Sequence, residues 1–338
     1  MAHYCKTDAR TWAREHLVGV SNVIHPSFSA DLKRLNEEGI RHDVRLDEKL
    51  GFSGALLIAE VAISLDEYRQ FTRIARDEAS TDFHLVHHAS WNTFEDNIEA
   101  VRIAEEEGAD MVLLSYPPNF WPKTTQEIYD YTKAYCDATS LGVMLFPLPF
   151  WGFDRLHPSD IDTDLIRRLI DDCPNITAIK AEGAMPGIMG FAECYRRFSK
   201  EVVVTYPLEG EFAALAQTMP MQYSGTANTE FFGAAFPHMF NLLRDGKFDE
   251  AAKLYWQLHP ARKASQAVSA YIPHTLFIHR MLWKYMGWLQ GFNGGPSRNP
   301  SMRLNQGQMT TLRQGLTRAG LEPTTEEDAA FFVGRNPC

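Results

Sequence analysis

Residues 93–115, TFEDNIEAVRIAEEEGADMVLLS, set a helix and a strand back to back. Apolar residues recur at helical spacing with charge on the other face. Thr93 stands where an N-cap belongs, with Asp96 three residues on, close to a capping box. Gly108 falls where a left-handed C-cap would end the helix. MVLLS (111–115) then runs apolar without alternation, as a parallel strand covered on both faces does.

The same unit repeats outward from there. Apolar runs lie at LVGVSNVI (17–24), GALLI (54–58), FHLVHHA (83–89), GVMLFPLP (142–149), ITAIKAEG (176–183), EVVVTYP (201–207) and MQYSGTAN (221–228). Amphipathic stretches such as SLDEYRQFTRIARDEA (64–79) separate them. Pro158 is expected to open a helix, and Pro174–Asn175 to punctuate the return to a strand. Eight strands interleaved with helices predict a single (β/α)8 TIM barrel, an α/β fold. The rival topology is a doubly wound open sheet, but no GxGxxG or GxxxxGK[ST] follows any strand. Helical patterns continue over roughly 229–243, 247–270, 273–290 and 301–320, and GFNGGPSRNP (291–300) reads as a loop. A barrel needs only one of these helices. The expected organisation is a barrel with a short N-terminal extension over 1–240 and a C-terminal helical segment over 241–338. That segment would pack on the barrel or on a neighbouring subunit.

A chain of 338 residues, 45% hydrophobic and 22% charged, suits one large soluble domain. The net charge of −10 argues against a duplex-binding surface, so no nucleic-acid partner is expected. No run approaches the roughly 20 apolar residues that cross a bilayer. MAHYCKTDARTWAREH lacks the apolar core of a signal peptide, and a cytoplasmic protein is expected. Cys5, Cys136, Cys173, Cys194 and Cys338 form no CxxC pair and read as free thiols. Neither a metal site nor an organic cofactor is expected.

Lys180 is the anomaly. It interrupts an apolar strand, where burial of an ammonium is costly and favours the neutral amine. A neutral lysine is a nucleophile that forms Schiff bases with carbonyl compounds. The plainer account is a strand-end lysine paired with Glu182, two residues on and on the same side of the strand.

The run CPNITAIKAEG (173–183) resembles the Schiff-base lysine segment of the dihydrodipicolinate synthase / N-acetylneuraminate lyase family of class I aldolases. HPSFSADLKRLNEEGI (25–40) resembles that family's first strand-to-helix turn, and residues 100–139 its fourth strand with flanking helices. SGTANTEF (224–231) resembles the glycine-bearing turn after strand eight, and GGPSRNP (294–300) the late GG-x-R-x-P loop. The resemblance spans roughly residues 17–300. It implies an aldolase or hydratase-aldolase in which Lys180 captures a 2-oxo acid or related carbonyl compound, and a homo-oligomer, dimer or tetramer.

Three departures from the family pattern stand out. The strand-five YNxP-like segment reads LFPLP, so Phe146 replaces the proton-relaying tyrosine. TPYY after strand four reads SYPPN, leaving Tyr116 one place from the expected position. The GTTGE turn reads LLIAEVAISLDEY (56–68), without threonines, and Glu60 is either its surviving acid or a new acid/base group. Lys180, Tyr116, Glu60 and His88 are therefore the expected catalytic residues. His87 and His88 both end strand three, and only one of them can point inward. Substrate contacts are expected from His87, Trp91, Phe146, Glu182, Tyr206 and Gly225, the glycine by letting substrate approach the backbone. Trp91, Phe120, Trp121, Phe150 and Trp151 crowd the expected mouth and suggest a substrate with an aromatic or bulky apolar half. The alternatives are a barrel using Lys180 only electrostatically, as an isomerase or hydrolase, and a non-catalytic binding barrel.

Overall fold

The eight apolar runs become eight strands: β1 Gly19–Ile24, β2 Gly54–Leu57, β3 His84–Ala89, β4 Met111–Leu114, β5 Gly142–Leu145, β6 Ile176–Lys180, β7 Val203–Thr205 and β8 Tyr223–Ser224. The computed structural model describes residues 4–158, 161–182, 188–270, 279–301 and 303–338. Neighbouring strands pair in parallel in the order β8-β1-β2-β3-β4-β5-β6-β7. Between β7 and β8 the Thr205 hydroxyl donates to the Tyr223 carbonyl at 2.8 Å, which closes the ring where both strands are short. β5 stops at Leu145 because Pro147 and Pro149 follow and have no N–H to give a ladder.

The helices are α1 Ala9–His16, α2 Glu37–Leu50, α3 Leu65–Glu78, α4 Phe94–Glu106, α5 Thr125–Asp137, α6 Thr163–Asp172, α7 Ile188–Phe198, α8 Glu209–Thr218, α9 Ala235–Arg244, α10 Phe248–Ser269, α11 Arg280–Leu289, α12 Gln306–Arg318 and α13 Asp328–Phe331. Thr93 caps α4 by accepting from the Asp96 N–H at 3.0 Å, and Gly108 follows that helix at φ +90°. Pro158 does not open α6, whose N-cap is Asp162. α9 starts later than the periodicity suggests, since Glu230–Phe232 form a 3-10 turn that Gly233 ends. Of the pattern at 273–290, Arg280–Leu289 form α11, while 271–278 lie outside the described residues. Among the described residues no helix is long and apolar enough to cross a membrane.

Alternation along the strands sorts side chains into two apolar layers. Val23, Leu56, Ile58, Val86, Leu113, Met144, Ala178 and Val203 fill the barrel interior. Leu57, Leu85, Val112, Leu145, Ile179 and Val204 pack outward against the helices. α1 plugs the N-terminal end of the barrel, with Trp12 and Leu17 joining the inner layer. Burying each large apolar side chain there contributes roughly 1.5–3 kcal/mol. With that end filled, the C-terminal rim is left for chemistry, as in barrel enzymes generally.

Candidate active site

Lys180 is the last residue of β6, two positions after inward-facing Ala178, so its side chain enters the barrel. It is 5% exposed. Its Nζ donates to the Thr226 carbonyl at 2.6 Å, lies 4.1 Å from the centre of the Phe146 ring, and stands 3.6 Å from Glu182 Oε2. Burial draws its pKa below the ordinary lysine range, and the Glu182 charge pulls the other way. The result is an amine that gives up its proton more readily than a surface lysine.

His88 points inward after Val86, and its Nε2 lies 2.9 Å from Ser115 Oγ. Its Nδ1 is buried with no hydrogen-bond partner among the described residues. Burial, then the neighbouring charges of His87 and Lys180, push its pKa down to about 3. At neutral pH the ring is uncharged, with one nitrogen tied to a hydroxyl and the other buried without a partner. Phe146, also inward, forms the floor beneath Lys180, and its carbonyl accepts from Trp151 Nε1 at 2.7 Å.

Several expected site residues lie elsewhere. His87 faces the helical layer, with its Nδ1 2.6 Å from the Tyr68 hydroxyl of α3, because strand parity that turns His88 inward turns His87 outward. Tyr116 is outward for the same reason. Ser115, the residue just past β4, takes the inner position, and the Tyr116 hydroxyl meets Thr132 Oγ1 of α5 at 2.7 Å, away from Lys180. Tyr206 follows inward Thr205 and packs edge-on against Phe191 of α7, with ring centres 5.3 Å apart. Trp91 packs against Tyr68, ring centres 5.6 Å apart. Phe120 stacks on Tyr116, whereas Trp121 is 68% exposed beneath Arg155. Those aromatics mostly build loops rather than line the mouth. A Cβ on Gly225 would sit 2.7 Å from Ser21 Cβ and the Tyr223 hydroxyl, so that glycine makes room for protein atoms rather than substrate.

Glu60 ends at the inner rim of β2, beyond inward Ile58, and its carboxylate is paired with the guanidinium of Arg280. This leaves it as a counter-ion instead of a lone acid. Arg280 escaped the sequence reading, although a charge inside the apolar run RMLWKYMGWL (280–289) is the same signal that singles out Lys180. Ser115 and His25 were also missed. His25 lies just beyond β1, 8% exposed, and its Nε2 is 3.4 Å from Asn228 Nδ2. Burial, Arg280 and Lys284 hold it well below the usual histidine range. Among the described residues no group of three or more His, Cys, Asp or Glu is placed to hold a metal ion.

Comparison with known proteins places this geometry. The model of the dihydrodipicolinate synthetase family matches residues 59–318. A probable 5-dehydro-4-deoxyglucarate dehydratase of Rhizobium meliloti is 34% identical over 45% of this chain, and the match spans only 48% of that relative's length. The 4-hydroxy-tetrahydrodipicolinate synthase of Methanopyrus kandleri is 23% identical over 90% of this chain and 97% of its own. The crystal structure of dihydrodipicolinate synthase from Aquifex aeolicus superposes with a TM-score of 0.76 at 15% identity, covering 91% of this chain and all of that one. The chain belongs to the dihydrodipicolinate synthetase family and is a barrel lyase.

Proposed function

We propose that this protein is a Schiff-base-forming carbon–carbon lyase, an aldolase or hydratase-aldolase, that acts on a 2-oxo acid or related carbonyl compound through Lys180. The observation that carries the reading is the buried Lys180 amine at the C-terminal rim, set against the Phe146 ring and the Thr226 carbonyl. Its nitrogen attacks the carbonyl carbon and the C–N bond forms. Two proton transfers release the carbonyl oxygen as water, leaving an iminium ion. The iminium draws in the electron pair of the C–C bond one carbon removed as it breaks, giving an enamine. The hydroxyl on the departing carbon gives up its proton, and that fragment leaves as an aldehyde. Protonation of that enamine and hydrolysis return the free lysine.

These steps need a group that passes protons beside Lys180. Phe146 has none to pass, and Tyr116 and Glu60 are engaged elsewhere. His88 and Ser115 supply the role: the uncharged imidazole takes a proton on its unpartnered Nδ1 while the serine hydroxyl fixes the ring. Glu182 lies near enough to take the proton that Lys180 sheds on becoming a nucleophile.

A second reading, dehydration beside the imine carbon, uses the same lysine and the same relay. The Rhizobium meliloti relative, named a dehydratase, supports it. The family likeness further supports a cytoplasmic homo-oligomer, dimer or tetramer. Borohydride reduction in the presence of 2-oxo acids and aldehydes, followed by intact mass and peptide mapping, tests the shared core. A reduced adduct on Lys180 is expected, and none with Lys180→Arg. No adduct in folded protein refutes the imine mechanism and favours the electrostatic or binding-only barrel.

A further inference from the structure

Tyr223 is the first residue of β8, 1% exposed, and its ring belongs to the inner apolar layer. Neither its hydroxyl nor that of Ser21 beside it completes a hydrogen bond among the described residues. A buried hydroxyl left unpaired costs free energy that a phenylalanine ring in the same place would not. Packing alone therefore does not account for a tyrosine at this position.

The backbone aims the hydroxyl at the rim. A Cβ built on Gly225 would meet the Tyr223 hydroxyl at 2.7 Å and its Cζ at 2.8 Å. The phenol thus rises along its own strand and ends in the space that a side chain at 225 would fill. The next residue, Thr226, offers the carbonyl that accepts from Lys180 Nζ. Lys180 is in register with Thr205, whose Oγ1 donates to the Tyr223 carbonyl, so only β7 stands between the lysine and the tyrosine. Burial keeps the phenol protonated, and the nearby Ser21 hydroxyl draws its pKa back only in part.

The chemistry at Lys180 has an opening for such a group. The uncharged His88 ring and the Glu182 carboxylate both accept protons, whereas expelling water from the adduct on Lys180 needs a donor. We infer that Tyr223 is a catalytic residue, whose hydroxyl hydrogen-bonds the oxygen of the carbonyl compound captured by Lys180 and gives it the proton with which it leaves as water. As that C–O bond breaks, the nitrogen lone pair forms the C=N bond, and the phenolate left behind faces the iminium charge. Hydrolysis of the product imine releases one proton, which returns to the phenolate, so the turnover balances. The inference rests on the Schiff-base reading of Lys180.

Tyr223→Phe removes the hydroxyl and keeps the ring. Protein is mixed with pyruvate, 2-oxohexanoate or propanal and quenched with borohydride at timed intervals, and intact mass reports the imine formed by then. The variant should form it about a hundredfold more slowly, the lower end of what a positioned acid contributes. Peptide mapping should still place the slower adduct on Lys180. The urea midpoint should stay at or above that of wild type, because an unpaired buried hydroxyl has been lost.

A Tyr223→Phe rate within about twofold of wild type overturns the inference and leaves the Schiff-base reading standing. A slower rate with a lowered urea midpoint, or a variant that does not fold, assigns the phenol to the fold and also overturns it. Trapping of none of the three compounds on wild-type Lys180 fails both readings together.

Discussion

Ser115→Ala is the substitution that isolates the proposed proton relay. Ser115 is 1% exposed, and its hydroxyl lies 2.9 Å from His88 Nε2. The other ring nitrogen, Nδ1, already has no partner among the described residues. Deleting the hydroxyl therefore leaves a buried imidazole with neither nitrogen satisfied, a cost of about 1–3 kcal/mol. Stability should fall by that amount in urea titrations, with an unchanged slope.

The kinetic consequence is separable from the thermodynamic one. A positioned acid/base group contributes roughly 10²–10⁴ to rate, so His88→Ala should lose that much from the proton-transfer step. Ser115→Ala should lose a smaller factor, about tenfold or more, because the ring persists but is no longer fixed. The loss belongs in kcat, since the serine is a positioning residue and does not hold the substrate. The assay is single-turnover kinetics for the four proteins of the Ser115→Ala/His88→Ala cycle. The double variant should be little worse than His88→Ala alone, with a coupling of about 0.5–3 kcal/mol. Two independent, multiplying losses would refute the relay, as would a Ser115→Ala enzyme within about twofold of wild type under the same acid–base logic.

Other expectations follow from the same geometry. Lys180→Met should abolish trapping yet stabilise the fold near neutral pH. A lysine whose folded pKa is lowered costs stability below that pKa, and the cost fades as pH rises towards the unfolded value, so the variant's advantage should shrink by pH 10 in paired denaturant titrations. The pH profile of trapping should for the same reason inflect below the range of an ordinary lysine. Glu230 is pushed up to about 8 by burial, so its folded form holds a proton that the unfolded form has lost. Wild-type stability should fall as pH rises from about 4.5 to about 8, by about 1.4 kcal/mol for each unit of pKa shift, and Glu230→Gln should flatten that slope. Trp12→Ala, at the opposite end of the barrel, should cost about 3–5 kcal/mol of stability while leaving the site of borohydride labelling at Lys180.

The fold was legible because each strand carried its own evidence. The runs were short, apolar on both faces, and separated by capped helices, which leaves a barrel or a doubly wound sheet, and the missing nucleotide motifs favoured the barrel. The burial of Lys180 was legible because a charge in such a run has few explanations. The rim was harder. Whether Tyr116 or Ser115 faces inward depends on strand parity carried past the last hydrogen-bonded pair, and SYPPN gives no sign of it. The same parity separated His88 from His87 but could not say in advance which was which. Arg280 was hidden differently. It belongs to a helix more than two hundred residues away from Glu60 in sequence, and only tertiary packing brings the two together. The aromatics after strands three and four were overread, since Trp91 and Phe120 have packing partners among the helices and loops that spacing alone does not reveal, whereas Phe150 and Trp151 after strand five pack against the inner layer.

The loss of the tyrosine expected on strand five need not end the chemistry, and the barrel itself gives the reason. Phe146 keeps the aromatic face beneath the lysine, 4.1 Å from Nζ, so only a hydroxyl is missing at that position. A relay needs a hydroxyl and a base near the imine, with no requirement that one strand supply them. All eight strands direct their inner rim residues into one small volume. A serine just past β4 and a histidine on β3 can thus take over a task that the family resemblance assigns to strand five. On the Schiff-base reading the lysine has less freedom to move, because its nitrogen would become a bonded part of the intermediate and fix where every other group must be. On this argument the residues around Lys180 are the replaceable part of the site, and substrate choice changes by exchanging them. A Phe146→Tyr variant measures that directly. If β5 and the His88–Ser115 pair serve the same proton, the restored hydroxyl should recover part of the activity lost in Ser115→Ala. If it recovers none in a folded double variant, the two positions do not share a task.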